Sequence, residues 1–133
     1  MRKAALTMQV ISIVDDDASV RAAADNFLSS HGYAVHAFAS AEDFLRSARL
    51  DESSCVVTDV QMPGMTGLDL LKVVRSRGNS IPFIFITAFP SEGIRARAAR
   101  AGAHELLDKP FTCSVLVDCI EAALAGARRG TSR

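Results

Sequence analysis

This sequence has no charge imbalance. Among its 133 residues, 15 Lys and Arg cancel 15 Asp and Glu. That excludes a chain-wide polyanion-binding role and leaves room only for a local basic patch. Cysteine is scarce: Cys55, Cys113 and Cys119 are odd in number and form no C-x-x-C pair. They make neither a disulfide framework nor a zinc site, and read as small buried side chains in a reducing cytosol. With four prolines and eight glycines, the chain is neither collagen-like nor a low-complexity linker. No apolar stretch approaches the roughly 20 residues needed to cross a bilayer.

What is present is the composition of one soluble domain, 49% apolar and 23% charged. A single core at this length buries roughly two-thirds of the unfolded chain's surface, so no staples are required. The opening MRKAALTMQVISIVDDD has the basic start of a signal peptide. Polar Thr7, Gln9 and Ser12 interrupt it, however, and three aspartates stand where a small-residue cleavage site belongs. Residues 1–8 therefore read as a short lead, 9–125 as the domain, and 126–133 as a basic tail or linker stub.

Two periodicities alternate along the chain. Gln9 to Val14, Ala34 to Ala39, Cys55 to Thr58, Ile81 to Ala88 and His104 to Asp108 are short apolar runs, each predicting a strand. Between them lie helical spacings. Val20, Ala23, Ala24, Phe27 and Leu28 share one face. Phe44, Leu45 and Ala48 follow Ser40 and Asp43, which resemble a capping box. Leu68 to Arg77 and Ser91 to Ala101 are helical, the second ending at Gly102. Leu116, Cys119, Ile120, Ala123 and Leu124 predict a last helix that dissolves at Gly126. Strand-then-helix repeated five times implies an α/β fold, a parallel sheet covered on both faces.

In such sheets function gathers beyond the carboxyl ends of the strands. The first strand ends in Asp15-Asp16, the third in Asp59, the fourth in Thr87-Ala88 and the fifth in Lys109-Pro110. Each has an ordinary structural reading: a helix cap, a turn opener, a β-branched strand residue, a solvated charge. Their coincidence at one edge favours chemistry. Converging carboxylates repel by ~4 kcal/mol at ~4 Å and an effective dielectric near ~20, so compensating cations are needed. Lys109 supplies one, and an all-oxygen donor set points to Mg²⁺ for the rest. His31, His36 and His104 lie away from these ends, and no Ser-His pair is present. The site suits phosphoryl transfer, with a carboxylate as nucleophile and the threonine hydroxyl and ammonium on the transferred oxygens.

VDDD before a helix, VVTDVQMPGMTGLDLL, FIFITAF and DKPF, in this order, resemble the receiver domain of two-component response regulators, closest to the FixJ type. The likeness covers about Gln9 to Leu124. It implies a flavodoxin-like doubly wound five-stranded parallel sheet of order 2-1-3-4-5 with five helices. It implies Asp59 as phosphoacceptor, taking the group from a phosphohistidine of a sensor histidine kinase. Mg²⁺ would be held by Asp16 directly, by Asp15 through water, by Asp59 and by the backbone carbonyl of Gln61. Lys109 would pair with the phosphoryl oxygens, and Thr87 would swing toward them with the backbone amide of Ala88. The Lys109-Pro110 bond would be cis. Gln61 and Phe89 would tune hydrolysis of the acyl phosphate. One departure stands out: the family commonly places Phe or Tyr three residues before the lysine, where this chain has Leu106.

The resemblance also implies a cytoplasmic protein that catalyses only its own phosphorylation and dephosphorylation, with a homodimer surface on the fourth helix, last strand and last helix. It implies no membrane contact, and no nucleic-acid motif is present in this segment. The alternative is a receiver-fold scaffold that binds a partner without switching, supported by Leu106. A phosphatase with an aspartate nucleophile would need a second Asp where Gln61 stands. A flavin site would need a Ser/Thr-rich phosphate loop, and the chain has no tryptophan. Asp17 reads as a helix cap and Gly64-x-x-Gly67 as a flexible turn. Arg95, Arg97 and Arg100 form a candidate basic patch on the fourth helix, read either as a solvated face or as a partner surface.

Overall fold

The computed structural model describes residues 8–131, with side chains through Ala127. The lead predicted for residues 1–8 falls almost wholly outside these residues. The elements are β1 (Val10–Val14), α1 (Ala18–Ser30), β2 (Ala34–Phe38), α2 (Ala41–Arg46), a 3₁₀ turn (Leu50–Glu52) and β3 (Cys55–Asp59). Then follow α3 (Gly67–Ser76), β4 (Phe83–Thr87), α4 (Glu92–Ala101), β5 (Glu105–Asp108) and α5 (Cys113–Thr131). All strand pairs are parallel and the order is β2-β1-β3-β4-β5. β1, β3 and β4 sit in the middle, and β3 and β4 are buried along their whole length.

Both sheet faces are apolar, but they are filled differently. Ile11, Ile13, Val57, Ile84 and Ile86 meet Leu28 of α1 and Leu116 and Ile120 of α5. Val14, Val56, Phe83 and Phe85 meet Phe44 of α2, Leu70 and Val74 of α3, and Ile94 of α4. The alternation along FIFI puts aromatics on one side and isoleucines on the other, because successive strand side chains point oppositely.

Local chemistry fixes the helix ends. Asp17 caps α1, its Oδ1 accepting from the Ser19 amide at 2.9 Å and the Val20 amide at 3.4 Å. The full capping box belongs to α3: Thr66 Oγ1 accepts from the Asp69 amide and Asp69 Oδ2 accepts from the Thr66 amide. Ser40 makes only its own half, accepting from the Asp43 amide. β4 is shorter than predicted, since Pro82 has no N–H to give the ladder, although its carbonyl accepts from the Val56 amide at 3.0 Å. The predicted dissolution at Gly126 does not occur, and α5 continues to Thr131. A single glycine costs a helix only about 1 kcal/mol. Gly126 also lacks the positive φ that ends α4 at Gly102, which is +96°.

Candidate functional site

The carboxyl edge collects the predicted side chains into one pocket. The Asp15 amide still donates to the Phe38 carbonyl at 3.1 Å, so the sheet holds the backbone at the point where β1 ends. Asp15 is fully buried, Asp16 is exposed, and Asp59 at the end of β3 is 7% exposed. One carboxylate oxygen from each of the three lies within 4.8 Å of the others. Lys109 reaches in from β5, its amide anchored to the Thr87 carbonyl at 2.7 Å. Its Nζ donates to Asp59 Oδ2 at 3.0 Å and lies 3.1 Å from Asp15 Oδ2. The Lys109–Pro110 peptide is cis, as the resemblance implied.

The electrostatics follow from this packing. Burial pushes the Asp15 carboxyl above its ordinary value, against the lowering effect of the Asp17 amide and of Lys109. Burial opposes the charge on Lys109, yet the hydrogen bond to Asp59 and the negative charge of Asp15 and Asp59 outweigh it and raise its value. One ammonium therefore serves two carboxylates. Asp15 Oδ2 is buried and makes no hydrogen bond of its own. Three carboxylates sharing one ammonium, with Asp15 Oδ2 buried and held by its ion pair alone, suit a hard divalent cation.

Around this centre the loops are held closely. Asp59 Oδ1 accepts from the Gln61 amide at 3.1 Å. Thr87 is buried and its Oγ1 accepts from the Phe89 amide at 3.0 Å, while Ala88 and Phe89 stand exposed at the mouth. Leu106 pairs with Phe85 across β4 and β5, and lines a cavity of about 210 Å³ between α4 and β5. The turn at Gly64 and Gly67 is not loose. Gly64 has φ +76°, and a Cβ there would meet Glu42 Oε2 at 2.7 Å. A Cβ on Gly67 would come within 2.2 Å of the Asp59 carbonyl oxygen, so α3 can start against the end of β3 only on a glycine.

Two positioning contacts had no signal in the sequence. Glu42, from α2, accepts from the Met65 amide at 3.0 Å and so ties down the loop after Asp59. That bond holds the Glu42 carboxyl below its ordinary value. Arg21, on α1, donates to the Asp15 carbonyl at 2.7 Å. The predicted basic patch is divided: Arg95 pairs with both carboxylate oxygens of Asp108, at 2.9 and 2.8 Å, and Arg97 and Arg100 remain. On the other side of the pocket, an apolar cleft of about 480 Å³ lies beside Lys109 between α1 and the start of α5. Val20, Phe27, Phe111 and Leu116 contribute most of its wall.

The sheet order and this pocket of three carboxylates and one lysine define the class, a flavodoxin-like doubly wound domain with an acidic site at its carboxyl edge. The profile of the response regulator receiver domain matches residues 11–121, and the chain belongs to that family, in its FixJ type. Nodulation protein W of Bradyrhizobium diazoefficiens is 38% identical over 125 residues, covering 94% of this chain and 55% of that protein. The transcriptional regulatory protein FixJ of Rhizobium meliloti is 36% identical, covering 89% of this chain and 58% of that one. The chain thus spans about half the length of the curated relatives it matches. Among solved structures, the response regulator StyR superposes with a TM-score of 0.84 at 38% identity, over 95% of this chain and 65% of that chain. FixJ-N gives 0.80 at 34%, over 90% and 95%. Members of the family are signalling switches that interact with histidine kinases, not classical enzymes. Among the described residues no helix is long and apolar enough to cross a membrane.

Proposed function

We propose that this chain is a phosphorylation-controlled switch that accepts a phosphoryl group on Asp59 from a histidine kinase. The observation that carries the reading is the placement of Asp59. Its carboxylate lies almost buried, 3.0 Å from Lys109, with the oxygens of Asp15 and Asp16 within 4.8 Å. An Asp59 oxygen attacks phosphorus, the P–N bond of the phosphohistidine breaks, and its electron pair leaves on the imidazole, which takes up a proton. The product is an acyl phosphate. Asp15, Asp16, Asp59 and the Gln61 carbonyl would hold Mg²⁺, whose charge would neutralise phosphoryl oxygens.

Phosphorylation occupies the Asp59 oxygen that Lys109 now holds, and the ammonium moves its hydrogen bond to the phosphoryl group. Thr87 Oγ1, at present an acceptor from Phe89, turns to donate to a phosphoryl oxygen, and the Ala88 amide joins it. That rearrangement pulls on the chain entering α4 and carries the signal to α4, β5 and α5, where a second copy would bind. Leu106 follows by packing alone, into the cavity it already lines. Gln61 and Phe89 at the mouth set access of water to the acyl phosphate. In this reading residues 9–125 are the signalling unit and 126–133 a basic tail or linker stub, whose first part continues α5. Asp59→Asn is expected to abolish labelling by a small phosphodonor in the presence of Mg²⁺, and stoichiometric labelling of that variant would refute the assignment.

A second reading rests on Leu106: a scaffold that keeps the fold but does not switch. NMR spectra with and without beryllofluoride separate the two. Shifts confined to the pocket support the scaffold, whereas shifts reaching α4 and β5 support the switch.

A further inference from the structure

Between α3 and α4 two cavities, of about 250 and 280 Å³, share Leu68, Lys72 and Arg97 as lining residues. They join into one trough. It starts at Gln61 and Thr66, on the loop that follows Asp59, and ends at Arg100 and Ala101. Its apolar floor comes from Val60, Leu68 and Ala101, and its walls carry Lys72 from one helix and Arg97 and Arg100 from the other.

The cations of this trough form no ion pairs. Arg46, Arg49, Arg95 and Lys109 each pair with a carboxylate. Among the described residues Lys72, Arg97 and Arg100 pair with none. Asp69 also lines the trough, engaged by the Thr66 amide in the α3 cap and likewise paired with no cation; its charge offsets one of the three and leaves a net of two positive charges. In a chain with no net charge, three free cations facing one concave surface concentrate a positive field there. We infer that this trough is a docking site for an acidic segment of a partner protein, with carboxylates on Lys72, Arg97 and Arg100 and an aliphatic side chain on the Leu68 floor.

The lining favours a peptide over other anions. No aromatic side chain lines it, so it offers no platform on which nucleic-acid bases could stack. The cations are exposed, and isolated exposed pairs contribute little singly, so several carboxylates spaced along a chain gain more than one compact anion. The apolar floor gives such a chain something to bury. Docking requires no phosphoryl group on Asp59, so it can be measured on the unphosphorylated protein.

The test is fluorescence anisotropy at low salt with a labelled short peptide of alternating Glu and Leu. Saturable binding is expected, weakened about tenfold or more by Lys72→Glu combined with Arg97→Glu. Arg77→Glu, an exposed cation outside the trough, should leave it unchanged, and a peptide with Lys in place of Glu should not bind. Amide NMR shifts on the unaltered protein should map to α3 and α4, which keeps the result readable should the double variant fold poorly. Absence of saturable binding overturns the inference, and so does equal weakening by Arg77→Glu. Tighter binding of duplex DNA than of the peptide, lost in the same double variant, would replace the peptide by a nucleic acid.

Discussion

The two faces of the sheet are both apolar but differ in shape. Toward α1 and α5 the sheet presents Ile11, Ile13, Val57, Ile84 and Ile86, and the helices leave an apolar cleft of about 480 Å³ beside Lys109. Toward α2, α3 and α4 it presents Phe83 and Phe85, with ring centroids 6.0 Å apart. Here the fit is close enough that α3 must begin on Gly67, and the outer surface is a trough lined by cations. The aliphatic face leaves that cleft unfilled between its two helices. The aromatic face fixes its helices, and with them the loop that holds Asp59. The face that positions the chemistry is therefore the less forgiving one.

The largest effect should come from the rings. Phe85→Ala is expected to cost about 3–5 kcal/mol, against about 0.5–1.5 for Ile84→Val on the opposite face. Urea unfolding measures both, and similar losses would erase the contrast between faces. Next is the glycine contact. Gly67→Ala should cost about 1–3 kcal/mol because its Cβ meets backbone, not a flexible side chain. The same variant should also slow Asp59 labelling by displacing its carbonyl. Gly126→Ala, with nothing within 4 Å, should instead gain roughly 0.5–1 kcal/mol through helix propensity. A neutral Gly67→Ala would show that α3 is free to shift.

The smallest effect concerns the thiols of the aliphatic face. Burial pushes the Cys55 thiol up to about 12. Because this folded value lies above the ordinary 9.0, the stability it contributes is fully present below pH 9 and is lost as pH rises from there toward 12. Cys113, exposed at the first turn of α5 and not buried as its small side chain suggested, should react with a maleimide at neutral pH while Cys55 waits for unfolding. Rapid Cys55 labelling in the native protein would mean that the aliphatic face opens on its own.

Much of this was legible along the chain, for identifiable reasons. Short apolar runs ending in Asp15, Asp59, Thr87 and Lys109 announced the strands and their reactive edge, because parallel strands bury both faces and change character only where they end. Asp17 read correctly as a cap because its partners are two and three residues away. Contacts reaching beyond one helical turn were illegible. Glu42 holds the Met65 amide, Arg21 the Asp15 carbonyl, and Arg95 is taken from the basic patch by Asp108. Helix ends were read imperfectly where two signals competed, with Thr66 hidden in what looked like a loop and Gly126 in what looked like a tail.

The sequence by itself determined the alternation of strand and helix, the family and the residue types at the carboxyl edge, since these depend on local spacing and on the order of motifs. Only the tertiary structure decided which charges meet. It set Lys109 between Asp15 and Asp59, left Asp15 Oδ2 without a hydrogen bond, made Gly67 a packing requirement and freed Lys72, Arg97 and Arg100 from any carboxylate. The reason is physical: pairing and desolvation depend on distances of a few ångströms between segments far apart in the chain, and no periodicity encodes those distances.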